Sequence, residues 1–185
     1  MQALTVEFAT NMKDLLKVIV EFTFVLLKDV TVGEQISFTE NGWLASGGFR
    51  TGENTCTLTF TSNFSAGTQV SISKTPFQAV NNDNISVGTL DGIGLNLSTA
   101  GDQIFAYDPA NMPSAGDESG FVAAIHMNGT WNPEATSTTT SSKPSIFTDG
   151  VNSISINPEI DNARFKSNHC NDANEINTLR ASLND

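Results

Sequence analysis

Few side chains in these 185 residues are spaced to do acid–base, nucleophilic or metal chemistry. The two histidines, His126 and His169, lie far apart, and neither accompanies a G-x-S-x-G elbow or a second histidine. A hydrolytic triad needs one imidazole that reaches both a nucleophile and a carboxylate, so that chemistry finds no support here. His126 sits in an apolar run without Cys-x-x-Cys spacing nearby and reads as a strand residue, not a zinc ligand. Asn168, His169 and Cys170 are ordinary loop composition. The acids offer one cluster: Asp108, Asp117 and Glu118 occupy a Pro- and Gly-bearing segment, 108–120, that could hold a hard cation such as calcium or could be a solvated loop. The run from Asn81 to Asn84 lacks the spaced acids of a calcium loop and reads as an Asx turn, and Asp102, ending STAGD, reads as a turn anchor. Otherwise no cofactor is expected.

Recognition chemistry is better represented. Residues 40–53, ENGWLASGGFRTGE, carry Trp43, Phe49 and Arg50 among Gly42, Gly47, Gly48 and Gly52. With Trp131, the two aromatics could form a stacking platform for a sugar or a base, and Arg50 a clamp for a carboxylate or phosphate. The other reading is a loop pinned by its own aromatics, with Arg50 bonding turn carbonyls. In either case the segment is a clasp between strands and not a reaction centre.

The elements that must position these residues follow from alternation. Val18, Val20, Phe22, Phe24 and Leu26 share one face of a strand. Ile36 and Phe38 mark a second, Cys56, Leu58 and Phe60 a third between threonines, and Val70 and Ile72 a fourth that ends at Pro76. Residues 103–107 and the apolar run 121–127 are further strands, 151–156 alternates again, and Leu4, Val6 and Phe8 suit a short opening strand. Asp172 and Glu175, before Ile176, Leu179 and Leu183, predict a short C-terminal helix. The expected fold is a single all-β domain over 1–185: an antiparallel β-sandwich of eight or more strands carrying that helix. Residues 132–145, NPEATSTTTSSKPS, are expected to form a flexible Thr/Ser-rich loop outside the core.

Two separated segments, ISFTENGWLASGGFRTGENT and GIGLNLSTAGDQIFAYDP, resemble a recurring domain of secreted and surface proteins of bacteria and some algae, related to the lamin-tail-like β-sandwiches. The resemblance runs from about Glu21 to the C-terminus. It implies an immunoglobulin-like, lamin-tail-like sandwich at the cell surface or outside the cell, and no catalytic residues. Members open with an acidic or glycine-rich turn and continue past the position of Asp185, so the domain is expected to be truncated at both ends.

Composition fits that compartment. Charged residues are 16% of the chain, while Ser, Thr, Asn and Gly are abundant. A net charge of −11 with nine basic residues repels a phosphate backbone, so nucleic acid is not an expected partner. The apolar run 15–27 is interrupted by Lys17 and Glu21, has no small-residue cleavage site after it, and is too short to span a bilayer. Cys56 and Cys170 allow two readings. A disulfide would close a long loop and stabilise by about 3–5 kcal/mol in the entropy model; alternatively Cys56 is a small buried hydrophobe and Cys170 a loop thiol. The function expected from all this is a non-catalytic binding or adhesion module for a glycan, matrix or protein ligand. A metal-assisted hydrolase, or an accessory domain of one, and a structural spacer are the alternatives.

Overall fold

The computed structural model describes residues 5–7, 21–161 and 163. Among the described residues ten strands run in chain order: β1 (Thr5–Glu7), β2 (Glu21–Val25), β3 (Gln35–Thr39), β4 (Thr55–Phe60), β5 (Gln69–Lys74), β6 (Phe77–Asn81), β7 (Gly88–Gly92), β8 (Gln103–Tyr107), β9 (Phe121–His126) and β10 (Ser153–Ser155). They form a four-stranded sheet, β1-β2-β5-β6, and a six-stranded sheet, β10-β9-β8-β3-β4-β7. The all-β sandwich architecture is therefore as expected.

Alternation explains how the sheets meet. In β4, Cys56, Leu58 and Phe60 are buried while the intervening threonines are half-buried. Phe22 and Phe24 of β2 each bring their rings within 4.9 Å of the Phe38 ring on β3, so the two sheets share one interior. Val70, Ile72, Ala79, Ile104, Ala106, Ala123 and Ile125 complete it. Each large side chain placed there contributes about 1.5–3 kcal/mol of hydrophobic stabilisation.

Four features differ from the expectation. First, β10 pairs with β9 in parallel, through Ser153 to Ala124 and Ser155 to His126, so the sandwich is not wholly antiparallel. Second, β5 stops before Pro76 as expected, but the chain then reverses into an unanticipated strand, β6, which pairs with β5, and a further one, β7, closes the far edge of β4. Third, β8 is buried on both faces, because a second apolar layer covers the outside of β8 and β9. A register shift between Ala106 and Tyr107 pairs Tyr107 with Phe121 instead of Val122, and the bulge turns Phe121 outward beside Phe105.

The fourth concerns residues 132–145, which fold back onto this layer. Ser141 is fully buried and Ala135 and Ser142 nearly so. Hydroxyl groups supply the order that apolar side chains cannot: Thr140 Oγ1 accepts from the Thr136 and Ser137 amides, and Ser142 Oγ donates to the Pro133 carbonyl. A polar loop joins the interior by bonding backbone to hydroxyl.

The predicted C-terminal helix and Cys170 lie outside the described residues. Cys56 is a free thiol, 1% exposed in the inter-sheet core, where it acts as a small hydrophobe. Among the described residues no helix is long and apolar enough to cross a membrane.

Candidate functional site

Residues 40–53 extend the β3–β4 hairpin and fold over the outer face of the six-stranded sheet. The base is laced by side chains that imitate a ladder. Asn41 Nδ2 donates to the Glu53 carbonyl at 3.1 Å and Asn41 Oδ1 accepts from the Glu53 amide at 3.1 Å, while the Glu40 amide donates to the Asn54 carbonyl. Further out, Trp43 and Phe49 form a bridge with rings 5.2 Å apart, edge to face. Gly47 closes the tip at φ +86°, where a Cβ would also run into Ala115. Gly42 is required for a different reason: a Cβ there would collide with the Thr140 carbonyl, so the loop 132–145 can lie on the clasp only if this position is bare.

The structure separates the residues proposed as a binding surface. Trp43 is 2% exposed, packed on Phe49 and Phe121, and its backbone exchanges bonds with Ser141 and Ser142. It is core, not a platform, because the loop 132–145 seals it. Trp131 is half-buried against Phe105 and His126, with Nε1 donating to Asp149 at 2.9 Å. It packs on the same aromatic layer and is not among the residues that line a cleft with Phe49 and Arg50. His126 is the strand residue expected, fully buried, its Nδ1 3.2 Å from the Gly129 carbonyl; burial holds its imidazole below the usual range.

The proposed cation ligands also fall apart. Asp108 accepts from the Ala110 amide, Asp117 from the amide and hydroxyl of Ser119, and Glu118 from Ser145 Oγ and the Ile146 amide. Asp108 and Asp117 each anchor their own turn, and Glu118 ties its segment to residues 145–146. Among the described residues no three His, Cys, Asp or Glu side chains are placed to share a metal ion. Asn81 makes the Asx turn, its Oδ1 accepting from the Asp83 and Ile85 amides.

What remains is a cleft of about 290 Å³ on the open side of the clasp, lined by Phe49, Arg50, Thr51, Glu53, Tyr107 and Met112 above a floor of Thr39, Asn41 and Thr55. Phe49 and Arg50 thus do reach a common cavity. The floor is fully bonded: Thr55 Oγ1 donates to Thr39 Oγ1, which donates to the Asn54 carbonyl and accepts from Asn41. The Tyr107 hydroxyl is hydrogen-bonded to Ser37, and burial raises its pKa. On the walls, the Arg50–Glu53 ion pair is not closed by a hydrogen bond. Arg50 Nη1 lies 3.7 Å from Glu53 Oε2, outside hydrogen-bonding distance, and neither atom has a hydrogen-bond partner among the described residues. Arg50 bonds no turn carbonyl through Nη1.

Burial shapes the acids of this region. The Glu53 side chain is 8% exposed; desolvation, with Glu40 nearby, pushes its carboxyl up to about 7 against the pull of Arg50. Glu40 and Asp102 lie beneath the clasp. Burial raises Glu40, whose oxygens accept from the Asn54 and Asn96 amides. Burial also raises Asp102, to about 8, although it accepts from the Ser98 and Gln103 amides as the turn anchor it was expected to be. Both are sealed supports. Glu53 is the carboxylate that meets the cleft.

Glu53, Tyr107, Asn41 and Met112 were not recognised as site residues in the sequence. For Tyr107 a signal existed: it shares the outward face of β8 with Phe105, an apolar pair on a face that would otherwise be wet. No family model, curated protein or solved structure matches this chain.

Proposed function

We propose that this domain is a non-catalytic binding module of the cell surface or extracellular space, immunoglobulin-like and lamin-tail-like in fold, and that it takes a glycan, matrix or protein ligand at the clasp cleft. The observation that carries this reading is the cleft's composition: an aromatic wall, a guanidinium 30% exposed and a buried carboxylate whose Oε2 has no hydrogen-bond partner, over a floor whose hydroxyls are already satisfied. Such a surface has contacts to offer and no acid–base pair to drive a reaction. Two-carboxylate hydrolysis needs a second acid across the substrate, and the nearby candidates, Glu40 and Asp102, spend their oxygens on backbone amides.

The test is an array of immobilised glycans and matrix proteins probed with the wild-type chain and with Thr51→Trp. Thr51 is exposed at the cleft, so an indole there fills the cavity and leaves the core alone. Binding that the substitution abolishes supports the reading. Binding that survives it places the ligand elsewhere, and turnover of an arrayed glycan would make the chain an enzyme.

A further inference from the structure

The Arg50–Glu53 pair narrows the ligand chemistry, given that the cleft is a binding site as proposed above. We infer that the cleft holds a neutral sugar unit through a ring hydroxyl set between Arg50 and Glu53, with the C–H face of the ring against Phe49. The two side chains form an ion pair at 3.7 Å that no hydrogen bond closes, and Nη1 and Oε2 are both buried without a hydrogen-bond partner. A hydroxyl accepts from an N–H and donates to a carboxylate at the same time, so one ligand oxygen completes both atoms. A ligand group that only accepts or only donates completes just one. A carboxylate or phosphate would match Arg50 but face Glu53 on a chain of net charge −11, and an ammonium group would match Glu53 but face Arg50.

The surroundings agree with a single sugar ring. Glu53 is fixed by burial, whereas the Arg50 side chain is 30% exposed and is the partner able to move as the hydroxyl enters. Phe49 is half-buried and tilted against Tyr107 with ring centroids 5.6 Å apart, which gives the cleft an apolar wall. Met112, 59% exposed, extends that wall at the rim. A volume of 290 Å³ is at the lower end of the range of about 300–1,000 Å³ usual for ligand pockets, so it suits one ring and not a folded segment of polypeptide.

The experiment is isothermal titration of the full chain with neutral gluco-, manno-, galacto- and xylo-oligosaccharides, with oligogalacturonate as the acidic probe and spermine as the cationic one. Neutral oligosaccharide should bind. Glu53→Gln should weaken it at least tenfold and Thr51→Trp should abolish it, with thermal melts and circular dichroism verifying that both variants fold. The inference is overturned if no neutral oligosaccharide binds, or if Glu53→Gln and Thr51→Trp bind it as the wild type does. If oligogalacturonate, spermine or an arrayed protein binds in a Thr51→Trp-sensitive manner and neutral sugars do not, the sugar assignment falls and the binding-module reading survives. If no probe shows binding sensitive to Thr51→Trp, both fall.

Discussion

The interior between the two sheets and the aromatic layer outside β8 and β9 bury similar side chains by different means. Between the sheets, Phe22, Phe24, Phe38, Leu58 and Ile104 are placed by strand alternation, and the ladder that fixes their backbone exists whatever the loops do. On the outer face, Phe105 and Phe121 come from strands, but Trp43, Phe49, Trp131 and Phe147 come from loops. Those loops are held by side chains bonding backbone: Asn41 on Glu53, Ser141 on Trp43, Gln103 on Thr138. One core is built by pattern and the other by caps. The second is thereby the part of the molecule that can open locally, and it is the part that carries the cleft.

The largest effects should separate the two cores. Phe38 is fully buried and its ring meets Phe22 and Phe24 from the opposite sheet, so Phe38→Ala should cost about 3–5 kcal/mol of global stability. Trp43→Ala removes a comparable ring from the outer layer, where the loops can part while the sheets stay paired. Its expected cost in denaturant melts is smaller, about 2–3 kcal/mol, with faster amide exchange confined to residues 40–54 and 139–142. Equal loss of protection in β2 and β5 would show that the layers are one cooperative unit and would break the distinction.

The same difference explains what could be read from the sequence. Alternation in β2 to β5 is a repeating physical constraint, and the strands appear where it predicts them, while β8 and β9 are apolar runs buried on nearly every position. The edge strand β7, GTLDG, has glycine at both ends and only Leu90 partly buried in the core, so it left almost no apolar signature. Phe105 and Tyr107 advertised a second buried face, yet what covers it is a Thr/Ser-rich loop whose composition resembles solvated chain. Its order comes from hydroxyl–amide bonds between residues up to 98 apart in sequence, as between Trp43 and Ser141, and local pattern does not record those. The clasp was legible as a clasp; its cleft was not, because Glu53 and Tyr107 meet only through the fold.

The buried acids sharpen the comparison through pH. Glu53 is raised from about 4.5 unfolded to about 7 folded, so the folded chain binds its proton more tightly than the unfolded chain. That contribution to stability is fully present below about pH 4.5 and is lost as pH rises through 7; at about 1.4 kcal/mol per unit it amounts to roughly 3 kcal/mol. Asp102 extends the loss to about 8, and Glu40 acts in the same direction. His126 acts oppositely: held below 6.5, it removes stability as pH falls through 6.5. Glu34, Asp117 and Asp149, all lowered, lose theirs only in acid, below the normal carboxylate range. Stability should therefore fall as pH rises from about 4.5 to about 8, with His126 offsetting part of the loss below 6.5. Glu53→Gln should flatten that slope between about 4.5 and 7, measured by urea titration at each pH, and an unchanged slope would mean that the fold does not raise the Glu53 carboxyl.

The smallest predicted change tests whether hydroxyls really hold the outer layer. Ser141 Oγ accepts from the Trp43 amide at 2.8 Å and donates to the Ser142 carbonyl, in a fully buried position. Ser141→Ala leaves that amide without its partner in a place water does not reach, a loss of about 1–3 kcal/mol. Ser141→Thr retains an oxygen that can accept from the amide but adds a methyl to a packed site, so it should fall between alanine and the wild type. By contrast, Thr57→Val on the open part of the same sheet breaks only the partly exposed bond to Ser37 Oγ and should shift stability by about 0.5 kcal/mol or less. If Ser141→Ala is as mild as Thr57→Val, the loop 132–145 rests on the aromatic layer by packing alone, and the caps are a consequence of the second core instead of its cause.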